Sequence, residues 1–440
     1  MEAEGKKGVS FALWVPLTWY VLASSRGVSR WLHPDLDVME VNYLEGTPID
    51  RGVFLVLMFL GVWILARRRI DWAQWSRRNG WIVALFLYMG LSIGWSDFAG
   101  VSFKRWIKSI GDLVMVLIVL TEEDPLEAIS TLLRRCFYLV VPLSVIFVKY
   151  YRSLGVVYDY LGKEAWIGVT PHKNTLGQVV MIAGVYFIWN ILRARGKRIV
   201  VDVPVFIMGL WLLWGSDTSS SKTSIVLFLT GIALLVVLHW MRSNLTLIRR
   251  FTVILIFLIA FFSLAVPFAT SSSLIAAAIE ASGRDKTLTQ RTDLWDDLFE
   301  IGSQHPVLGT GYGSFWIGDL THPLWEKHFW RPTQGHNGYI DVYLELGLIG
   351  LALTIGVIVL AYRGILRTFA SHVEFGKLQF ILLSLILVNN ITESSLLRGA
   401  NNLWFLFLLV AVSIPAPSEI HPSEEVVHQE TGPDKMEFLV

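Results

Sequence analysis

Residues 337–361 read NGYIDVYLELGLIGLALTIGVIVLA, and the sixteen residues from Leu346 to Ala361 carry no charge. A helix needs about 20 mostly apolar residues to cross the hydrocarbon of a bilayer, within a range of roughly 17 to 25. This stretch meets the requirement, and a basic connection, Arg363–Lys377, follows it. The same rule finds apolar runs near 10–25, 51–66, 80–95, 106–121, 131–148, 174–192, 200–215, 223–240 and 251–269 ahead of it. Two more follow near 377–393 and 401–415. Several are short and borrow flanking Trp or Arg at the interface. The chain therefore reads as an all-α, polytopic integral membrane protein with about twelve transmembrane helices.

Composition agrees. Hydrophobic residues make up 54% of the 440, and charged residues 17%, against about 25% in soluble domains. Mean hydropathy is +0.53. The 19 Trp and 25 Phe suit anchoring at bilayer interfaces. A net charge of +1 gives no reason to expect a nucleic-acid partner. Cys136 is the one cysteine, which excludes an intramolecular disulfide and a cysteine metal site. Lys6 and Lys7 precede an apolar run from Phe11 to Ala23, read as an uncleaved first helix rather than a signal peptide.

Basic residues set the orientation. The connections RRRIDWAQWSRRNG (67–80), RARGKR (193–198), MRSNLTLIRR (241–250) and 363–377 are short and rich in Lys and Arg. They fall on one side if both termini are cytoplasmic. The opposite side holds one long connection, 269–335, between the ninth and tenth spans. Two surface helices are expected in it, near Leu274–Ala281 and Leu288–Gly302, followed by Gly- and Pro-rich turns. A structured loop of that length usually has a task. Residues 1–415 form the transmembrane domain, and 416–440 read as a disordered cytoplasmic tail.

Ionisable groups near the outer face carry the chemical information, because burying them in a membrane is costly. TPHKNTLG (170–177) opens the sixth span. Free N–H groups follow Pro171 there, and with Lys173, His172 and Asn174 they could hold an anion. A plain interfacial lysine is the alternative. In RTDLW (291–295), Leu294, Leu298 and Ile301 form one apolar stripe that lies on the membrane or the bundle. Arg291 opposes the helix dipole at that start, so either an external anion or an ion pair with Asp293 or Glu300 accounts for it. Gly309, Gly311 and Gly313 follow no strand and read as a tight turn rather than a nucleotide loop.

GHNGY (335–339) opens the tenth span, with Asn337, Asp341 and Glu345 on one helix face. His336 at that surface could act as a general base near neutral pH, or simply bond loop backbone. No ligand spacing for a metal appears in these segments. SDTSSSKTS (216–224) carries Lys222, and WSD (95–97) is followed by Lys104 and Arg105.

In order along the chain, SSRGVSRWL (24–32), WSDFAGVSFKR (95–105), HKNTLG (172–177), the 219–224 turn, 291–313 and HNGYIDVYLELGLIG (336–350) resemble the O-antigen ligase and polymerase superfamily. Among its members, the exopolysaccharide polymerases are most similar. The resemblance implies a metal-independent, inverting glycosyltransferase that needs no cofactor and works at the periplasmic face of the bacterial inner membrane. Its donor would be a glycan on undecaprenyl diphosphate. Its acceptor would be lipid A–core, for a ligase, or another lipid-linked glycan, for a polymerase. By the same analogy His336 is the base and Arg291 binds the diphosphate, with Lys173, Lys222 and Arg105 as further cations. His172, Asn174, Asn337 and Glu345 would support them.

A diphosphate leaving group needs charge neutralisation, which Arg or Lys can supply without a metal. Asp35 and Asp37 in the first outer loop are the one pair that would point to a divalent ion instead. A secondary transporter or a lipid-linked oligosaccharide flippase has the same count of spans. Collection of the ionisable residues at one face, around one long loop, favours the enzyme.

Overall fold

The computed structural model describes residues 9–33, 47–158, 162–193, 199–215, 220–241, 244–269 and 287–413. Asp35, Asp37, the helix expected near 274–281 and the tail from 416 lie outside the described residues. Twelve apolar helices correspond one to one with the twelve expected spans. They are α1 (Trp14–Ala23), α2 (Pro48–Ala66), α3 (Gly80–Leu91), α4 (Ala99–Leu120), α5 (Pro125–Tyr150) and α6 (Lys173–Arg193). Then come α7 (Ile199–Trp214), α8 (Lys222–Trp240), α9 (Leu245–Ala269), α10 (Gly338–Ser371), α11 (Val373–Thr392) and α12 (Asn402–Ala411). Among the described residues, α2, α5, α6, α8, α10 and α11 are each long and apolar enough to cross a membrane alone. The protein is an all-α, multi-pass membrane protein.

Burial orders the bundle. Most of the apolar window of α11 is buried, 83%, against 17% for α2, so α11 is central and α2 lines the rim. Leu55, Phe59 and Trp63 of α2 are exposed, as a lipid-facing stripe should be.

Helix starts follow local capping chemistry. Asp124 accepts from Leu126 N and Glu127 N with Pro125 at the first helical position, and Thr47 with Pro48 does the same for α2. Each satisfies donors that a helix start leaves unpaired. Two short strands, β1 (Val156–Tyr158) and β2 (Glu164–Trp166), form an antiparallel hairpin ahead of α6. This is a small departure from an all-helical reading, favoured by the β-branched Val156 and Val157.

Two irregular backbone segments shape the end of the bundle where α10 starts and α11 stops. Gly347 adopts φ +63°, ψ −163° inside α10 and breaks it into two helices. The carbonyls freed there are taken by the glycine turn, with Thr310 N on Leu344 O at 3.0 Å and Gly311 N on Glu345 O at 2.8 Å. The second is the 393–401 connection between α11 and α12. Ala400 N reaches Asp112 on α4 at 2.8 Å, and Ser395 N and Leu396 N bond Asn390 Oδ1 at 2.9 and 3.0 Å. Non-helical backbone within a bundle is tolerated where protein groups satisfy it.

Candidate active site

Glu393 follows the last residue of α11 and is buried. Three segments distant in sequence converge on it. Asn174, in the first turn of α6, donates to its Oε1 at 2.8 Å. Arg291 lies on the helix Thr287–Gly302, with one guanidinium nitrogen 3.4 Å from the same oxygen. Its other terminal nitrogen donates to Thr392 O at 2.7 Å. His336 Nδ1 stands 3.5 Å from Oε2, with the Gln334 amide nitrogen 3.3 Å from that same nitrogen. Nδ1 thus faces an acceptor, Glu393, and a donor, the Gln334 amide; with Glu393 as its partner Nδ1 carries the proton and Nε2 keeps the basic lone pair.

The turn that presents His336 is fixed on both sides. Asn337 caps α10 by accepting from Tyr339 N and Ile340 N at 3.0 and 3.2 Å, and donates to Ile391 O at 3.2 Å. Gly335 is held at both ends. Its N–H donates to Asp341 Oδ1 at 2.9 Å, and its carbonyl accepts from Trp295 Nε1 at 2.8 Å. His336 itself sits at φ +48°, a left-handed conformation costing a non-glycine residue roughly 1–2 kcal/mol. Such a conformation persists only where its surroundings over-determine it, and here they do. The ring of Trp330 lies 5.7 Å from the imidazole.

The 287–302 helix packs its apolar stripe inward. Leu294 and Leu298 are fully buried in a small core with Phe315, Trp316, Ile340 and Leu344. The stripe thus meets the loop and the start of α10 rather than lipid. Among the described residues neither Asp293 nor Glu300 pairs with Arg291, as the ion-pair alternative expected; Glu393, just past α11, does.

His172 is exposed, one residue ahead of α6. Partial desolvation holds it below the ordinary histidine range, helped by Arg30, while Glu393 pulls the other way. Lys173 is the first residue of α6, beside Asn174. Lys222 is the first residue of α8, and the two helix starts touch. A Cβ on Gly177 of α6 would come within 2.5 Å of Ser224 Oγ. Residues 216–219 of that turn lie outside the described residues.

Arg105 and Glu345 stand apart from this group. Arg105 donates to Gly313 O, and Glu345 accepts from Gly313 N at 2.9 Å. Both clamp the glycine turn. Asp341 likewise serves the loop, accepting from Trp316 Nε1 at 3.0 Å and from Arg398 at 2.7 Å. Sequence reasoning singled out His336, Arg291 and Asn174 but passed over Glu393, Arg30 and Trp330. The available signal for Glu393 was an acid at the end of the apolar run 377–393, three residues after Asn389-Asn390.

Comparison with known proteins bears on this site. Residues 205–355 match the family model described as O-antigen ligase, a stretch that holds Lys222, Arg291, His336, Asn337 and Glu345 and stops short of Glu393. Over 389 residues the chain is 28% identical to the exopolysaccharide production protein ExoQ of Rhizobium meliloti (strain 1021), covering 84% of this chain and 81% of that protein. Both matches bear out the resemblance carried by the ordered motifs, to the O-antigen ligase and polymerase superfamily.

Proposed function

We propose that the protein is a membrane glycosyltransferase of cell-surface polysaccharide assembly, which transfers or polymerises a glycan carried on undecaprenyl diphosphate. The observation that carries this is the meeting of His336 and Arg291 on Glu393, a base and a diphosphate ligand brought together from separate segments. In the reaction, the acceptor hydroxyl gives its proton to His336 Nε2 as its oxygen attacks the anomeric carbon. The bond from that carbon to the diphosphate oxygen breaks, and the leaving diphosphate keeps the electron pair. Attack opposite the leaving group inverts the anomeric centre.

Arg291 meets the departing charge. A guanidinium has five N–H donors, and Thr392 O and Glu393 engage two of its nitrogens. Lys173 and the first free N–H groups of α6 add positive potential beside it. No step in this scheme calls on a metal or a cofactor. With basic connections inside, the site faces the periplasm and both termini face the cytoplasm of the inner membrane.

The test is a gel of lipopolysaccharide, with secreted polysaccharide assayed in parallel, from a strain lacking the gene and complemented with His336→Ala. Loss of a base is worth roughly 10²–10⁴ in rate, so the variant should insert normally and fail to restore polymer. Wild-type polymer from His336→Ala would remove the base and favour a flippase. Lost secreted polymer with intact core would mark a polymerase, and core without O-chain a ligase.

A further inference from the structure

The helix Thr287–Gly302 carries two chemistries on opposite faces. Leu294 and Leu298 are fully buried, and Arg291, on the same side by helical spacing, reaches Glu393. Asp293, Asp296 and Asp297 fall on the other face. There they line a cavity of about 410 Å³ together with Lys327, His328, Phe329 and Trp330. Small-ligand sites span roughly 300–1,000 Å³.

The walls of this cavity are fixed. His328 is buried, and its Nε2 stands 2.8 Å from Asp297 Oδ2. Lys327 donates to the other oxygen of the same carboxylate, and Asp293 adds to the field at that lysine. Trp325 Nε1 donates to Pro332 O at 2.9 Å and ties down the turn that carries Phe329 and Trp330. Hydrogen-bond acceptors remain in excess all the same. Three carboxylates offer about twelve lone-pair sites, four each, against at most five N–H donors, three on Lys327 and two on His328.

Such a wall takes a molecule rich in O–H donors, whose bonds to carboxylate are short and strong. It repels a phosphate. Among the described residues no group of three acid or His side chains is placed to hold a metal ion. The rings of Phe329, 68% exposed, and Trp330 ask in addition for an apolar face. A sugar has both, with hydroxyls around its rim and C–H groups on the faces of its ring. Trp330 also joins the cavity to His336, its ring lying 6.1 Å from His328 and 5.7 Å from the His336 imidazole. An occupant therefore comes to the proposed base, while Arg291 lies across the helix.

We propose that this cavity is the acceptor-sugar subsite: the aspartates accept its hydroxyls and Trp330 carries its ring face, beside His336. The inference rests on the glycosyltransferase reading above. Of the two glycans in that reaction, the acceptor is the one whose hydroxyl meets the base, whereas the donor sugar begins at the diphosphate. The acidic wall also sets a preference, for a sugar without negative charge at this position.

The probe is an oligosaccharide cut from the cell's own polysaccharide and reduced at its free end. The full chain, purified in detergent, should bind it saturably, as read by saturation-transfer NMR. Asp293→Ala/Asp296→Ala, both exposed on a helix, should weaken binding by about tenfold or more, the scale of one charge-assisted hydrogen bond. Trp330→Ala should abolish binding, Trp330→Phe should retain it, and Arg291→Ala should leave it unchanged. Oxidising the primary hydroxyls of the probe to carboxylates should weaken its binding to the wild type. The Asp pair or Trp330→Ala binding as tightly as the wild type, with an unchanged melting profile, would overturn the proposal. So would equal affinity for the oxidised probe, or no saturable binding by the wild type. Binding needs no turnover. Failure of the His336 base would therefore show in the polymer assay and leave this result standing.

Discussion

Glu393 holds the candidate site together through charge rather than bulk. Arg291, Asn174 and His336 reach it from three segments, so one side chain orients both the proposed base and the proposed diphosphate ligand. Glu393→Gln keeps the shape and removes the charge. Transfer should fall by about 10- to 100-fold, the weight of one or two charge-assisted hydrogen bonds. As a positioning residue it should depress kcat more than it raises KM, with partial rescue in Glu393→Asp and an unchanged thermal profile. Assayed with purified lipid-linked donor, a variant with wild-type kcat would take Glu393 out of the site. His336, Arg291 and Asn174, which the structure brings together, stand out in the sequence because the proposed diphosphate calls for cations, donors and a base. Glu393 has the same sign as the proposed diphosphate, so that chemistry does not call for it. Its role appears only when α11 is packed against α6 and the 287–302 helix.

At the scale of elements, each of the twelve apolar runs falls on a helix, six of them long and apolar enough to cross a membrane alone among the described residues, and capping chemistry decided where several of them begin. The fifth span was expected from 131, yet α5 starts at Pro125 behind the Asp124 cap. The fourth was expected from 106, yet α4 starts at Ala99 and carries Lys104 and Arg105 into the helix. Charge ends an apolar window without ending a helix. The break in α10 was not legible, because a glycine within an apolar run reads as ordinary membrane composition. In the fold Gly347 has positive φ, and a Cβ there would lie 2.2 Å from Val307 O. Gly347→Ala should therefore cost about 1–3 kcal/mol from strain alone, with more from the clash, and should release the glycine turn that Arg105 and Glu345 clamp. Gly364, later in the same helix, has nothing within 4 Å of its Cβ position. Gly364→Ala should instead stabilise, by up to about 1 kcal/mol. Thermal unfolding in one detergent compares the two directly, and equal effects would contradict the kink as a structural requirement.

Across the whole molecule, the starts of α6, α8 and α10 and the end of α11 lie at one end with the large loop, as the linked contacts of Asn174, Gly177, Asn337 and Glu393 require. The chain thus separates a chemical end from a basic end that holds Arg67, Arg68 and Arg69. Arg68 pairs there with the buried Glu122, which in turn accepts from Ser10 N at 2.9 Å near the N-terminus. That pairing ties the N-terminal segment to the basic end, and under the orientation proposed above from the positive-inside rule the basic end faces the cytoplasm and Glu393 the periplasm. Cys136 is buried and is the one cysteine, so Cys136→Ala provides a background without thiols. In that background Lys163→Cys, next to the exposed outer hairpin, should react with a membrane-impermeant maleimide in cells whose outer membrane alone is permeabilised. Ala73→Cys, exposed in the basic connection between α2 and α3, should react only once the inner membrane is opened. The reverse pattern would put Glu393 in the cytoplasm. A lipid-linked donor delivered to the periplasmic face could not then reach His336, and the proposed transfer would fail on topology even with every contact at Glu393 intact.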